Sequence, residues 1–217
     1  MIEYHMNEWE LARKIQTTGI LPVICPANQA ELDTLIDALR GTDISVIEIT
    51  LRNDFATRAI KYIKENCPWL MVGAGTINTP AKLEAAISCN ADFFVAPGFA
   101  GFAHRYVSNH GMIFLHGVST PSEILKLVNM GYRIMKFFPA EISGGVQALK
   151  LYSSAFEGIS FVPTGGITVD NLPQYLACKN VVGCGGSFMV PKPLLAKGAT
   201  EEIHTLIKKL CKKGDQQ

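Results

Sequence analysis

The sequence predicts a single (β/α)8 barrel with an extra helix before its first strand. Three observations predict it. Eight short runs of β-branched, aromatic and other apolar residues recur with centres about 20–26 residues apart, the length of one strand-plus-helix unit. Between them lie amphipathic stretches whose starts carry helix-capping chemistry. The whole fits within 217 residues, and no Pro/Gly/Ser-rich linker or low-complexity segment divides it. One barrel domain is therefore expected over residues 1–217.

Taken in order, residues 6–18 read as the extra helix, placed to close the barrel floor. Strands are expected at 20–25, 45–50, 70–75, 92–96, 112–116, 133–138, 159–163 and 180–185. These runs are nearly continuous in apolar residues, as parallel strands buried on both faces require. Helices are expected at 29–40, 55–65, 80–89, 121–130, 145–156, 169–177 and 199–212, with a less regular one at 99–110 that contains Gly101. Thr79-Pro80 and Thr120-Pro121 each set a cap residue before a proline at the first helical position. Glu123 follows Thr120 by three residues and completes a capping box. Lys208, Lys209, Lys212 and Lys213 suit the negative end of a last helix. An open doubly wound sheet would bring a GxGxxG turn after an early strand, and none is present. In a barrel, chemistry belongs at the C-terminal ends of the strands.

Composition narrows the function classes. Hydrophobic residues make up 48% and charged residues 18%, an ordinary globular balance. The net charge is +1 and no dense basic patch lies outside the C-terminal tail, so no nucleic-acid partner is expected. The six cysteines form no CxxC pair and no zinc spacing, which reads as reduced thiols in a cytoplasmic protein. The N-terminus has no apolar signal core and no run reaches membrane-spanning length, so no membrane partner is expected. No His/Asp/Glu set has metal-ligand spacing, so neither a metal nor another cofactor is expected. No GxSxG elbow suggests acyl transfer.

Lys136 stands inside Arg133-Ile134-Met135-Lys136-Phe137-Phe138-Pro139. A lysine in an apolar strand costs free energy unless paired, neutralised or able to reach water. Burial favours the uncharged amine that imine formation needs; the alternative is a strand-edge lysine with its head in water. In Val46-Ile47-Glu48-Ile49-Thr50-Leu51-Arg52, residues 48, 50 and 52 share one face if the strand extends that far. Glu48 could then act as general acid/base and Arg52 could clamp a carboxylate, or the two could simply pair with each other. The seventh strand ends in Pro163-Thr164-Gly165-Gly166-Ile167 and the eighth in Gly185-Gly186-Ser187. Paired glycines let backbone N–H groups approach an anion, and these loops are the usual phosphate site of a barrel, although tight turns also need glycine. Gly73-Ala74-Gly75-Thr76 ends the third strand in the same style. His116 ends the fifth strand and is expected at the mouth, or else as a packed or solvated histidine.

These segments, with Ala96-Pro97-Gly98 and the extension to Ala140-Glu141, match one family in order and spacing. The chain resembles the 2-keto-3-deoxy-6-phosphogluconate (KDPG) aldolases, also known as 4-hydroxy-2-oxoglutarate (KHG) aldolases, over residues 19–193. The resemblance implies a class I aldolase on a (β/α)8 barrel that needs no metal and assembles as a homotrimer. It implies Lys136 as the Schiff-base lysine and Glu48 as the proton shuttle. Arg52, Thr76 and Lys136 would surround the pyruvyl carboxylate, and Pro97 and Phe138 would line the pocket. Thr164, Gly165, Gly166, Gly186 and Ser187 form the phosphate end, so the expected partner is a phosphorylated keto acid. Two departures, His116 where proline is common and Phe188 where tryptophan is common, bear on the aldehyde half. A phosphate-binding isomerase or epimerase using Glu48 as base, or a barrel that binds sugar phosphates without turnover, are the other readings the residues allow.

Overall fold

A computed structural model describes residues 3–211; Lys212 and Lys213 of the basic tail lie outside the described residues. Helix α1 (Glu3–Thr18) leads into β1 (Ile20–Ile24), α2 (Gln29–Leu39), β2 (Val46–Thr50), α3 (Ala56–Asn66), β3 (Met71–Gly75) and α4 (Pro80–Ser88). Then come β4 (Phe93–Val95), α5 (Gly101–Asn109), β5 (Ile113–Leu115), β6 (Gly117–Val118), α6 (Pro121–Asn129) and β7 (Ile134–Phe137). The chain finishes with a 3-10 turn (Glu141–Ser143), α7 (Gly145–Ala155), β8 (Ser160–Pro163), α8 (Leu172–Leu176), β9 (Cys184–Gly186), α9 (Lys192–Ala196) and α10 (Thr200–Cys211).

The result is an α/β fold in which every strand pair is parallel. One sheet has six strands in the order β5-β4-β3-β2-β1-β9, and a second has three in the order β6-β7-β8. The expected fifth strand is divided at His116. Its first half pairs with β4, and Ala96 N–H still donates to the Leu115 carbonyl at 3.0 Å. The next carbonyl, of His116, instead accepts from Lys136 N–H at 2.9 Å, and β6 pairs with β7. One run of chain thus borders both sheets. Bridges at Phe161–Val181 and Thr164–Gly185 link β8 to the β9 segment. The ladder of β9 with β1 begins at Cys184 rather than at 180, while residues 180–182 bond to Phe161 of β8; Gly183, between them, takes φ +155° where a side chain would strike Ile15 and the Gly19 backbone.

The helix starts follow the capping chemistry. Thr79 accepts from Lys82 N–H, and Thr120 with Glu123 forms the reciprocal box, each cap being worth about 1 kcal/mol. Helix α8 is shorter than expected, and the 3-10 turn and α9 carry too few turns to show a period.

Alternation along the strands separates two apolar layers. Ile47, Ile49, Phe114, Met135 and Phe161 pack outward against the helices. Val46, Phe93, Leu115, Ile134 and Val162 pack inward with Leu11, Ala12 and Ile15 of α1, which form the floor of this layer. The inward positions above that floor, toward the strand C-termini, are where the polar groups lie.

Candidate active site

Glu48 occupies the inward position after Val46 on β2, and Lys136 the inward position after Ile134 on β7. The two side chains meet across the interior. Lys136 Nζ lies 3.4 Å from both Glu48 carboxylate oxygens. Glu48 is 1% exposed and Lys136 7%. The lysine therefore does not carry its head into water, and the carboxylate pairs with Lys136 rather than with Arg52. Space for the carboxylate comes from Gly75 on the neighbouring strand, where a Cβ would sit 2.0 Å from Glu48 Oε1. Gly73 makes similar room for the Phe93 ring, which packs into the floor.

Above this pair opens a cavity of about 630 Å³. Thr50 and Phe138 line it, each two residues further along the same strand faces as Glu48 and Lys136. The ion pair thus lies beneath the cavity by about 6–7 Å of strand rise, and Lys136 Nζ is 5.5 Å from the Phe138 ring centre. Strand β2 ends at Thr50, so Arg52 belongs to the loop beyond it, exposed and on the cavity wall. Its Nε donates to Thr76 Oγ1 at 3.2 Å, with Thr76 held at φ +64°. Thr76 and Pro97 lie at their strand ends without lining the cavity.

The opposite wall carries Thr164, Gly165, Gly166, Gly185, Gly186 and Ser187. Gly165 and Gly166 adopt φ +97° and +82°, which only glycine takes at low cost. Their turn is tied down from behind. Ala140 N–H and Glu141 N–H donate to the Thr164 and Gly165 carbonyls at 2.8 and 3.1 Å, and Asn171 donates to the Gly166 carbonyl at 3.0 Å. The Glu141 carboxylate in turn accepts from the hydroxyl of buried Tyr175. A turn so held presents a fixed surface of backbone dipoles, suited to an anion.

His116 is not at the mouth. It is fully buried on the outer side of the sheet, stacked on Phe114 with ring centres 4.4 Å apart and edge-on to Tyr132. Its Nδ1 accepts from Ala100 N–H at 3.2 Å, and Nε2 is without a hydrogen-bond partner. Burial, with a smaller contribution from His104, pushes its pKa down to about 3. Alternation places it there: Phe114 and His116 share the outward face, so a strand-end position does not bring His116 to the mouth. Among the described residues no three His, Cys, Asp or Glu side chains gather where they could hold a metal ion, and no helix is long and apolar enough to cross a membrane.

The family model for KDPG and KHG aldolases matches residues 11–206. The chain belongs to the KDPG and KHG aldolase family. A 2-dehydro-3-deoxy-phosphogluconate aldolase of Pseudomonas aeruginosa is 40% identical over 187 residues, covering 86% of this chain and 85% of that one. Among solved structures, the KDPG aldolase of Legionella pneumophila, with pyruvate captured as a covalent carbinolamine intermediate, superposes with a TM-score of 0.88 at 31% identity. The alignment covers 92% of this chain and 97% of that one. The Zymomonas mobilis aldolase with 3-phosphoglycerate gives a TM-score of 0.84 at 33% identity, over 95% and 96% of the two chains.

Against this aldolase frame, sequence reasoning missed Cys25, Asn53 and Lys192, which also line the cavity. Cys25 and Asn53 follow strand C-termini, and that position is the signal that could have found them. Lys192 sits beyond β9 on a helix too short to register as a pattern.

Proposed function

We propose that the chain cleaves a 2-keto-3-deoxy-6-phospho sugar acid reversibly to pyruvate and glyceraldehyde 3-phosphate through a Schiff base on Lys136. The observation that carries this reading is the buried Lys136–Glu48 pair, 3.4 Å apart, beneath a cavity with glycine turns on one wall and Arg52 on the other. Glu48 is near enough to take a proton from the ammonium and free the amine. The amine adds to the C2 ketone, Glu48 returns its proton to the carbinolamine hydroxyl, and that group leaves as water to give an iminium and a carboxylate again. Glu48, through a water, removes the C4 hydroxyl proton; the C3–C4 bond breaks and its electron pair enters the iminium as an enamine. Protonation at C3 and addition of water then release pyruvate and restore the lysine. Arg52 and Thr76 hold the C1 carboxylate, Pro97 and Phe138 bound the pocket, and Thr164, Gly165, Gly166, Gly186 and Ser187 receive the phosphate. No metal is assigned a role, because the iminium is the electron sink.

Three further parts belong to the same reading. The two sheets form one closed eight-stranded barrel, supported by the run that borders both sheets at His116 and by the β8–β9 bridges. The enzyme works in the cytoplasm, supported by six free cysteines. It assembles as a homotrimer, as the family resemblance implies, and exposed apolar Ile142 (86%) and Leu151 (69%) support self-association.

The test is steady-state cleavage of the 6-phosphorylated acid beside its unphosphorylated analogue, read as pyruvate release. Two charge-assisted hydrogen bonds to the phosphate should favour the phosphorylated acid by about 100-fold or more in kcat/KM. Equal values would remove the phosphate site, and no pyruvate from either acid would remove the aldolase.

A further inference from the structure

Charge is unevenly distributed around the cavity. Two of its lining side chains are ionic, Arg52 and Lys192, and both are cations. Arg52 leans toward β3 through its bond to Thr76. Lys192 opens α9, just after β9. In the sheet order β9-β1-β2-β3, the two flank an interval of three strand spacings, on the order of 10–15 Å. A ligand with an anion at each end matches that layout.

At the end nearest β9, Lys192 is the one cation among the described residues that line the cavity. The other polar groups of that end are the Thr164 and Ser187 hydroxyls and the backbone dipoles of the glycine turns, none with net charge. The charged side chain behind that turn, Glu141, has the wrong sign for a dianion: its methylenes lie where a Cβ on Gly166 would sit. Tyr175 holds its carboxylate by a hydrogen bond. Lys192 is also presented from a constrained backbone. Pro191 and Pro193 bracket it, and buried Leu195 anchors the short helix. Its Cα is therefore fixed at the rim while its stem of four methylenes remains free to bend over the cavity.

We propose that Lys192 is a specificity-determining residue, whose ammonium pairs with the terminal phosphate of the substrate and gives the enzyme its preference for the phosphorylated acid. This rests on the phosphorylated keto-acid reading above. Lys192 has no part in the imine chemistry, since the reacting lysine lies below the cavity floor. Its exposure makes its effect sensitive to salt, because counterions screen an exposed pair within about 10 Å at 0.1 M.

The experiment measures kcat/KM for the 6-phosphorylated acid and its unphosphorylated analogue with wild type, Lys192→Gln, Lys192→Glu and Lys192→Arg, at low and high salt. Inhibition of unphosphorylated-acid cleavage by inorganic phosphate is the second readout. Lys192→Gln should lose about 10-fold or more on the phosphorylated acid, the scale of one charge-assisted hydrogen bond, with the analogue unchanged. Lys192→Glu should lose more, and Lys192→Arg should retain most of the preference. Phosphate inhibition should weaken and the salt dependence flatten in Lys192→Gln. An unaltered preference in Lys192→Gln, or equal loss on both acids, would overturn the assignment. A wild type without any preference for phosphate would instead defeat the underlying reading of the site.

Discussion

Replacing Gly75 by alanine tests how the reacting pair is held, without touching either member of it. The added Cβ would lie 2.0 Å from Glu48 Oε1, 2.6 Å from Cδ and 2.8 Å from Cγ. Ordinary contact between such atoms begins at roughly 3.5 Å, so the carboxylate must move by more than about 1 Å. Glu48 is 1% exposed and packed between the neighbouring strands β1 and β3, which leaves little room to relax sideways. The movement falls on the 3.4 Å approach to Lys136. Overpacking of this kind costs about 1–3 kcal/mol of stability, which a folded domain survives. Misplacing a reacting group by about 1 Å costs on the order of 100-fold in rate. Gly75→Ala should therefore unfold at a moderately lower temperature yet lose about two orders of magnitude in kcat, followed by coupling pyruvate release to its reduction. With Glu48→Gln as background, the same substitution should cost little more, since the carboxylate it displaces is already gone. A folded Gly75→Ala with wild-type kcat, or full additivity with Glu48→Gln, would refute the role assigned to this contact.

Glu48→Gln should lower kcat by about 10²–10⁴ while pyruvate still attaches to Lys136; a wild-type kcat would return Glu48 to a purely structural role. Gly166→Ala should impair the phosphorylated acid and spare its analogue. It forces φ +82° on a residue with a side chain and drives its Cβ to 2.5 Å from Glu141 Cγ, and equal loss on both acids would contradict this. Buried groups also set a pH dependence of stability. His116 has a folded pKa of about 3 against an ordinary 6.5, so the unfolded state binds its proton first, and this contribution is lost as pH falls from about 6.5 toward 3. Glu8 runs the other way: burial, partly offset by a hydrogen bond and charge from Arg133, pushes it up to about 7, so its contribution is lost as pH rises from 4.5 to 7. The stability of Glu8→Gln in urea unfolding between pH 4.5 and 6.5 should thus rise more steeply with pH than that of wild type, and an unchanged slope would contradict the burial of Glu8.

The strands were legible because parallel strands covered on both faces read as continuous apolar runs, and the proline-marked caps located α4 and α6. What escaped depended on contacts between distant segments. The same-face relation of residues 48, 50 and 52 left a Glu48–Arg52 pair open as the alternative to separate roles, whereas β2 ends at Thr50 and the carboxylate meets a lysine 88 positions away. His116 was assigned to the mouth from its place at a strand end, whereas the face it occupies is set by alternation from Phe114. The glycine at 75 read as part of a strand end like the anion-binding glycine turns, while it leaves room for the Glu48 side chain on the next strand. Lys192 could not be read because five helical residues carry no period.

The central claim is that Lys136 forms the imine, and trapping tests it most directly. Borohydride added with pyruvate should reduce the imine to a stable secondary amine, inactivate the enzyme and add one pyruvate-derived mass to a peptide containing Lys136. Lys136→Arg should take up no label and show no turnover, because a guanidinium stays protonated and cannot form the imine. A label on another lysine, or full activity after borohydride and pyruvate, would contradict the account.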